Sequence, residues 1–289
     1  ALRFKPANTP STEDEWLHDI SVSGLTVYDP NPDAHASHTA KGTATSASSA
    51  EETHGFDFQY VKRLTITDCN LISVGDEAID IYSCHDVIVA NNHLENCPAA
   101  GPGGGAIAIC DGSKGVVVTG NTVNGTGADY VLTADDLGSE DGIVVPAGVE
   151  MSGAVKLPDG TVIGRYTVLS EDTLIPVGTT ILKNNYGIVV ESLSKPVEDV
   201  VIAGNTVRNV NGCGVKLYAV TDPARIDNVI VANNVLHGVD KGVDISGSCP
   251  KSGLKISDNI IADCAGYGIE GISLEDISVC GNTFRNIRG

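Results

Sequence analysis

The residues best suited to chemistry in this sequence are an imidazole and four carboxylates at the starts of two successive, similar segments. They are His54, Asp57, Asp76, Glu77 and Asp80. Carboxylates that lie close together can hold different pKa values, so that one donates a proton while another accepts one. Carboxylate oxygens are also the ligands that Ca²⁺ prefers. The cluster therefore predicts either a general acid and base at Asp76, Glu77, Asp80 and His54, or a calcium site at Asp57, Asp76 and Asp80.

Short strands that repeat along the chain must position these side chains. Each repeat contains a strand of the form Gly-apolar-x-apolar, such as GFDF at 55–58, and an Asn that follows a later strand. The recurring residues are Asn70, Asn92, Asn121, Asn205, Asn234, Asn259 and Asn282. A period of about 20 to 30 residues, with β-branched strands and Gly or Asn turns, indicates a solenoid. The sequence predicts an all-β fold, a single-stranded right-handed parallel β-helix in which the Asn residues stack as a structural ladder.

The alternation of side chains along each strand predicts which residues face outward. In GFDF the two Phe residues share one face and Asp57 points to the other, and Asp80 takes the same position in the next repeat. We therefore expect Asp57 and Asp80 to be exposed side by side. Lys216 and Asp244 continue this outward column as candidate substrate contacts, and Lys216 is its only predicted base. The whole predicted column is Asp57, Asp80, Ala108, Val189, Lys216, Asp244 and Glu270.

The predicted domain organisation is one β-helix domain over 1–289 with two interruptions. Residues 29–53 lack apolar alternation and are predicted to form a long loop. Residues 126–183 break the repeat and are predicted to form a β-rich insertion with a hairpin at 155–164. The segment 142–145 fits either the insertion or one further short turn of the solenoid.

Composition and charge limit the classes of binding partner and the cellular location that we expect for the protein. The formal net charge of -19 argues against nucleic acid and anionic membranes. No segment approaches the ~18 apolar residues of a membrane helix. The chain begins at Ala1 without a signal peptide, which suggests a processed chain, and we expect it at an extracellular, cell or virion surface. Eight cysteines without a CxxC spacing argue against zinc, and leave free thiols or disulfides between repeats as alternatives.

With these residues laid out, the segment 51–125 resembles the polygalacturonase family of glycoside hydrolases. The family motifs NTDG, GDDCIAI and GHG correspond here to ETHGFDF, GDEAIDI and GGGAIAI, in the same order. The resemblance implies hydrolysis of a polysaccharide without a cofactor, with Asp76 and Glu77 as base and acid. His54 stands where the family has an Asp, and Gly104 stands where it has a His.

The sequence is also similar to the pectate lyases and, in its GFD segment, to the mannuronan epimerases. The lyase resemblance implies a Ca²⁺ site at Asp57, Asp76 and Asp80, and a base that abstracts a proton. A third hypothesis is a β-helix that binds glycan without cleaving it, such as a phage tailspike or surface adhesin, and a spike would be a homotrimer. Our first hypothesis is hydrolysis of an extracellular polysaccharide or oligosaccharide through the carboxylate pair.

Overall fold

The computed structural model describes residues 2–28, 54–98, 104–126, 129–149, 151, 154–163, 167–182 and 185–289. The chain winds into eight coils, which we call rungs 1 to 8, and each rung gives one strand to each of three parallel sheets, A, B and C. The predicted parallel β-helix is confirmed. Within the described residues, no helix is long and apolar enough to cross a bilayer.

The strands of each sheet follow one another in rung order. Sheet A consists of Leu2–Phe4, Phe56–Gln59, Ile79–Tyr82, Gly105–Cys110, Tyr186–Ser192, Cys213–Ala219, Lys241–Ser246 and Ile269–Gly271. Sheet B consists of Leu17–Ser23, Val61–Thr67, His85–Ala90, Lys114–Thr119, Val197–Ala203, Ile226–Ala232, Leu254–Ser257 and Ile277–Cys280, with the short strand Lys251–Ser252 beside the sixth. Sheet C consists of Thr26–Tyr28, Asn70–Ile72, His93–Glu95, Thr122–Asn124, Thr206–Arg208, Val235–His237, Ile260–Ala262 and Thr283–Arg285.

Rung 1 extends the helix further toward the N-terminus than the sequence analysis predicted. Leu2–Phe4 adds a strand to sheet A, and the 3₁₀ helix Glu13–Glu15 precedes the first strand of sheet B. The Phe4 ring stacks on Phe58 of rung 2 with centroids 5.2 Å apart. A three-residue strand is too short to show a period in sequence, so the sequence did not predict Leu2–Phe4.

Apolar side chains from all three sheets fill the interior of the helix. Phe56, Phe58, Ile79 and Ile81 are fully buried, and similar Val, Ile and Leu columns continue through the later rungs. All eight cysteines are free thiols. Burial raises the pKa of the Cys84 thiol to about 12, as it does for Cys97, so these two thiols are packing residues with little thiolate character.

The predicted asparagine ladder is present at six of its seven predicted members. Asn92 Nδ2 donates to Asn121 Oδ1 over 3.0 Å, and Asn121 Nδ2 donates to Asn205 Oδ1 over the same distance. The ladder continues from Asn205 through Asn234 and Asn259 to Asn282. The prediction for Asn70 is wrong. Cys69 occupies the ladder position in rung 2, and its backbone N–H donates to Asn92 Oδ1, while Asn70 is exposed one residue further on.

The segment between rungs 4 and 5 folds as antiparallel strands with a small core of its own. The strands Tyr130–Val131, Thr180–Leu182, Ala154–Lys156 and Val162–Ile163 form one sheet, and Ile143–Val145 pairs with Thr173–Ile175. A short α-helix, Ala134–Leu137, lies between them in sequence. Residues 142–145 therefore belong to this segment and not to a further rung, and the described residues at 155–163 form the expected hairpin.

The helix continues in register across this segment, because Gly105 of rung 4 pairs directly with Tyr186 of rung 5. The segment leaves after a sheet C strand and returns to a sheet A strand. The predicted loop 29–53 lies outside the described residues, but it joins the same two sheets, between Tyr28 and Phe56. Both long connections therefore follow a sheet C strand and precede a sheet A strand. His54, Asp76 and Glu77 precede their strands at the same corner of the helix.

Candidate active site on sheet A

Strand pairing confirms the predicted outward column and adds one residue to its start. Asp57 pairs with Asp80, Asp80 with Ala108, and the column continues to Glu270 as expected. Arg3 of rung 1 pairs with Asp57 and heads the column. The prediction that Lys216 is its only base is therefore wrong. The column reads Arg3, Asp57, Asp80, Ala108, Val189, Lys216, Asp244 and Glu270.

His54, Asp76 and Glu77 converge at the turn that precedes sheet A. One ligand atom from each lies within 4.8 Å of the others, and His54 Nδ1 lies 3.1 Å from Glu77 Oε2. Phe56 pairs with Ile79, so His54 stacks on Glu77. The Gly55 N–H donates to the Glu77 carbonyl over 3.0 Å and fixes this alignment.

Gly104 of rung 4 lies directly against both carboxylates. A Cβ at this position would lie 3.0 Å from Glu77 Oε1 and 3.1 Å from Asp76 Oδ1, which is tighter than ordinary contact. The absence of a side chain therefore leaves the space that the two carboxylates occupy. A glycine is required here by close approach and not by backbone conformation.

The surroundings of Glu77 decide its charge. Burial raises the pKa of Glu77, but the contact with His54 and a side-chain hydrogen bond with Asp76 outweigh burial, and the net pKa lies below 4.5. Its side chain remains 20% exposed. A hydrogen bond between two carboxyl groups needs one proton. The lowered pKa favours a negative charge on Glu77.

Asp57 differs from its predicted state. It was expected to be exposed, but it is only 3% exposed, so this prediction is wrong. Its Oδ2 is in a short contact with Arg3 Nε, and its Oδ1 accepts a hydrogen bond from Gln59 Nε2 over 3.2 Å. These partners offset the cost of burying the charge. The structure thus brings Asp76 together with His54 and Glu77, while Asp57 is held by Arg3.

The outward column becomes apolar and buried in the two rungs after Asp80. Ala108 and Val189 are buried, at 1% and 5% exposed. Lys216 follows three rungs beyond Asp80, a distance of about 14 Å at the usual strand spacing. Its ammonium lies 4.4 Å from the Tyr186 ring centroid and 5.1 Å from that of Tyr218.

Ion pairs hold this second set of side chains. Asp244 is buried, and its carboxylate lies 3.6 Å from Lys216 Nζ and 3.3 Å from Lys241 Nζ. Lys216 Nζ also donates to the Tyr186 hydroxyl over 3.0 Å. Burial lowers the pKa of Lys216, but Tyr186, Cys213 and Asp244 outweigh it, so that the net pKa is raised and Lys216 stays charged.

Sheet A therefore carries two separate groups of functional side chains. We call the first the acidic region, which consists of His54, Asp57, Asp76, Glu77 and Asp80. We call the second the lysine–tyrosine region, which consists of Tyr186, Lys216, Tyr218, Lys241 and Asp244. The sequence predicted all of the acidic region and two residues of the second. The sequence analysis did not predict Tyr186, Tyr218 or Lys241, although each lies near one end of an apolar strand in its repeat.

Family models match two segments of the chain. The model described as "Right handed beta helix region" matches residues 18–145, and the model described as "Periplasmic copper-binding protein (NosD)" matches residues 161–288. The described residues of 161–288 contain no group of side chains that could together hold a metal ion such as copper. Among all the described residues, one group has three metal-ligating side chains close enough to hold the same ion. It consists of His54, Asp76 and Glu77 and lies outside the matched segment.

Solved structures similar to this chain are β-helix proteins of several kinds. The Streptococcus pneumoniae surface protein and adhesin PfbA is 15% identical, with a TM-score of 0.44, over 94% of this chain and 75% of its own. The endo-xylogalacturonan hydrolase from Aspergillus tubingensis is 12% identical, with a TM-score of 0.45, over 95% and 75%. The periplasmic alginate epimerase AlgG is 10% identical, with a TM-score of 0.37, and this chain spans 47% of its length.

No curated protein sequence matches the chain. The parallel strands and the family match together define a right-handed parallel β-helix protein. The match to the right-handed β-helix family model confirms the predicted resemblance at the level of the fold.

Proposed function

We propose that this protein hydrolyses glycosidic bonds of a polysaccharide at the acidic region. The observation that carries this proposal is the Asp76–Glu77 pair, in which the contacts with His54 and Asp76 lower the pKa of Glu77. Two carboxyl groups with different protonation states are what hydrolysis of a glycosidic bond requires. The names of the similar families and structures support a carbohydrate partner and a location outside the cytoplasm.

The proposed roles follow from the charges. Asp76 donates its proton to the glycosidic oxygen as the C–O bond breaks, and the leaving sugar takes that proton as a hydroxyl. Glu77 accepts a proton from water, whose oxygen bonds to the anomeric carbon, and for this step the hydrogen bond between Asp76 and Glu77 opens so that the two carboxyl groups flank the glycosidic bond. His54 keeps Glu77 ionised and oriented. Asp80, three residues after Glu77 in the same rung, is the proposed contact for the sugar at the cleavage point.

The other side chains of the column have supporting roles in this proposal. Arg3 neutralises Asp57, so that Asp57 shapes the sugar site beside Asp80 without adding a free charge. Lys216 lies far enough away that only a substrate of several sugar units reaches it. Asp244 holds Lys216 and Lys241 in place for that contact.

The proposal is tested with Asp76→Asn and Glu77→Gln on a panel of polysaccharides, with release of reducing ends as the measurement. We expect each change to lower turnover by about 10²- to 10⁴-fold, because each removes one proton-transfer group. Glu95→Gln is the control, since Glu95 is an exposed carboxylate of the same rung on sheet C. New reducing ends that persist in both variants would contradict the assigned roles.

Two other outcomes are informative. Unsaturated product ends and loss of activity with a chelator would replace hydrolysis by a calcium-dependent lyase reaction, for which Arg3 would be a base beside the acidic column. No turnover on any polysaccharide, together with glycan affinity that Asp76→Asn and Glu77→Gln leave intact, would indicate a non-catalytic glycan-binding β-helix. The side-chain-free Gly104 is the observation that favours this second candidate.

A further inference from the structure

A cavity lies at the opposite ends of the sheet A strands from the acidic region. It has a volume of about 270 Å³ and sits where the chain turns from sheet A into sheet B, across rungs 1 to 5. We call it the corner pocket, and its principal lining residues are Trp16, Tyr60, Ser83, His85, Gly112 and Lys195. None of these residues takes part in the proposed hydrolysis.

Aromatic rings form one wall of the corner pocket. Trp16 makes edge contacts with Tyr60, at 5.9 Å between ring centroids, and with His85, at 4.5 Å. Tyr60 in turn makes an edge contact with Tyr82, at 6.0 Å. Trp16, Tyr60 and His85 are half-buried and line the cavity, and Tyr82 packs behind Tyr60. Partly exposed aromatic surface with nearby polar groups suits a ligand that has both apolar and hydroxyl-bearing faces, such as a sugar ring.

Lys195 supplies a positive charge that no carboxylate of the described residues neutralises. Its ammonium lies 5.5 Å from the Tyr60 ring centroid and 6.0 Å from that of Tyr82. No carboxylate among the described residues pairs with it, although the chain carries a formal net charge of -19. The one acidic side chain in the lining, Glu13, is occupied by Lys62 at 2.9 Å and His85 at 3.2 Å.

The backbone that carries Lys195 is held in place by a buried carboxylate. Asp111 Oδ1 accepts hydrogen bonds from the N–H groups of Leu193, Ser194 and Lys195, at 2.6, 2.9 and 3.2 Å. Its Oδ2 accepts a hydrogen bond from the Ser194 hydroxyl over 2.7 Å. Lys195 is thus presented by a fixed turn, which reduces the entropy that would be lost when a ligand binds.

We propose that the corner pocket binds a sugar unit that carries a negative charge, either a carboxylate or a sulfate. The ring of the sugar packs against Trp16 and Tyr60, and its anionic group pairs with Lys195. This inference rests on the proposed function only for the class of partner, a polysaccharide. The pocket is separate from the acidic region, since the two lie at opposite ends of the sheet A strands.

Trp16 is the only tryptophan in the chain, so its fluorescence reports on this pocket directly. We would titrate the Glu77→Gln protein, which removes turnover, with a galacturonic acid trimer, a sulfated galactose trimer and a neutral galactose trimer. At least one anionic trimer should change the fluorescence, and the neutral trimer should bind more weakly. Lys195→Gln should weaken anionic binding by about tenfold, which is the loss of one charge-assisted contact.

Lys255→Gln is the matched control, because Lys255 is an exposed lysine of sheet B far from the pocket and its loss changes the net charge equally. Equal affinity of Lys195→Gln and Lys255→Gln, or equal binding of neutral and anionic trimers, would overturn the proposal. If Lys216→Gln weakens binding and Trp16 fluorescence does not respond, the anion binds on sheet A, and the pocket proposal fails while hydrolysis stands. If the fluorescence responds but the protein cleaves no polysaccharide, the pocket proposal stands and the hydrolysis proposal fails.

Discussion

The acidic region and the lysine–tyrosine region occupy equivalent positions on the same sheet, yet their charges are balanced differently. In the acidic region, five ionisable side chains include four carboxylates, and the contacts of Glu77 with His54 and Asp76 lower the pKa of Glu77. In the lysine–tyrosine region, buried Asp244 is flanked by two lysines, and each charge has an opposite partner. The first arrangement leaves an excess of carboxylates, whereas in the second each charged group lies beside one of opposite sign.

The difference shows how a β-helix separates its scaffold from its chemistry. Both regions rest on the same inward columns and the same asparagine ladder, so neither depends on a special backbone. What differs is the set of side chains at the turn before each strand and at the outward position within it. Chemistry on this fold is therefore decided by a few positions per rung, and the fold tolerates large changes there.

The largest effect should come from filling the space beside the acidic pair. Gly104→Ala places a Cβ about 3 Å from both carboxylates and should push them out of alignment. We expect the specificity constant for polysaccharide cleavage to fall by about 100-fold, with little change in folding stability. Gly266→Ala is the control, because Gly266 takes the corresponding turn before rung 8 and its nearest contact is a carbonyl at 3.3 Å. Full activity in Gly104→Ala would show that the pair is not the reactive centre.

The next largest effect concerns how each region neutralises its buried Asp. Arg3→Met should lower the free energy of unfolding by about 1–3 kcal/mol, because Asp57 loses its only described cationic partner. Lys241→Met should cost less than about 1 kcal/mol, because Lys216 still pairs with Asp244. Urea unfolding measures both. The double change Arg3→Met with Asp57→Asn should recover most of the loss, and failure to recover would mean that Arg3 acts through packing.

A third prediction addresses the charge of Glu77. The His54 contact lowers the pKa of Glu77, so His54→Gln should raise it. Because Glu77 must be ionised to act as a base, the acidic limb of the pH profile should move to higher pH. Activity would be lost first at low pH. His237→Gln should leave the profile unchanged, since His237 pairs with Asp263 on sheet C. An unmoved acidic limb would assign the titration to another group.

The smallest effect is expected in the lysine–tyrosine region. Lys216→Met should raise KM for long oligosaccharides by about fivefold with kcat unchanged, as expected for a contact made equally in the ground and transition states. A short substrate that spans only the acidic region should be unaffected. Steady-state kinetics on a length series measures this difference. Equal KM values at every length would make this region a purely structural ion-pair network.

Much of the fold could be predicted because a solenoid repeats its own pattern. The alternation of Phe56, Asp57 and Phe58 predicted which side chains enter the core, and the recurring Asn predicted the ladder. Errors arose where one rung departs from the pattern. Cys69 replaces Asn at the ladder position of rung 2, and the neighbouring Asn70 was taken for it.

The sequence by itself determined the strand period, the inward and outward faces and the membership of the acidic cluster, because these depend on local alternation and on spacing within one repeat. Only the tertiary structure decided which charges meet. Arg3 reaches Asp57 from a rung separated by a long connection, His54 pairs with Glu77 because of strand register, and Lys195 reaches Tyr60 and Tyr82 from across the insertion. Contacts between rungs depend on register and on the length of intervening segments, and neither follows from the pattern of a single strand.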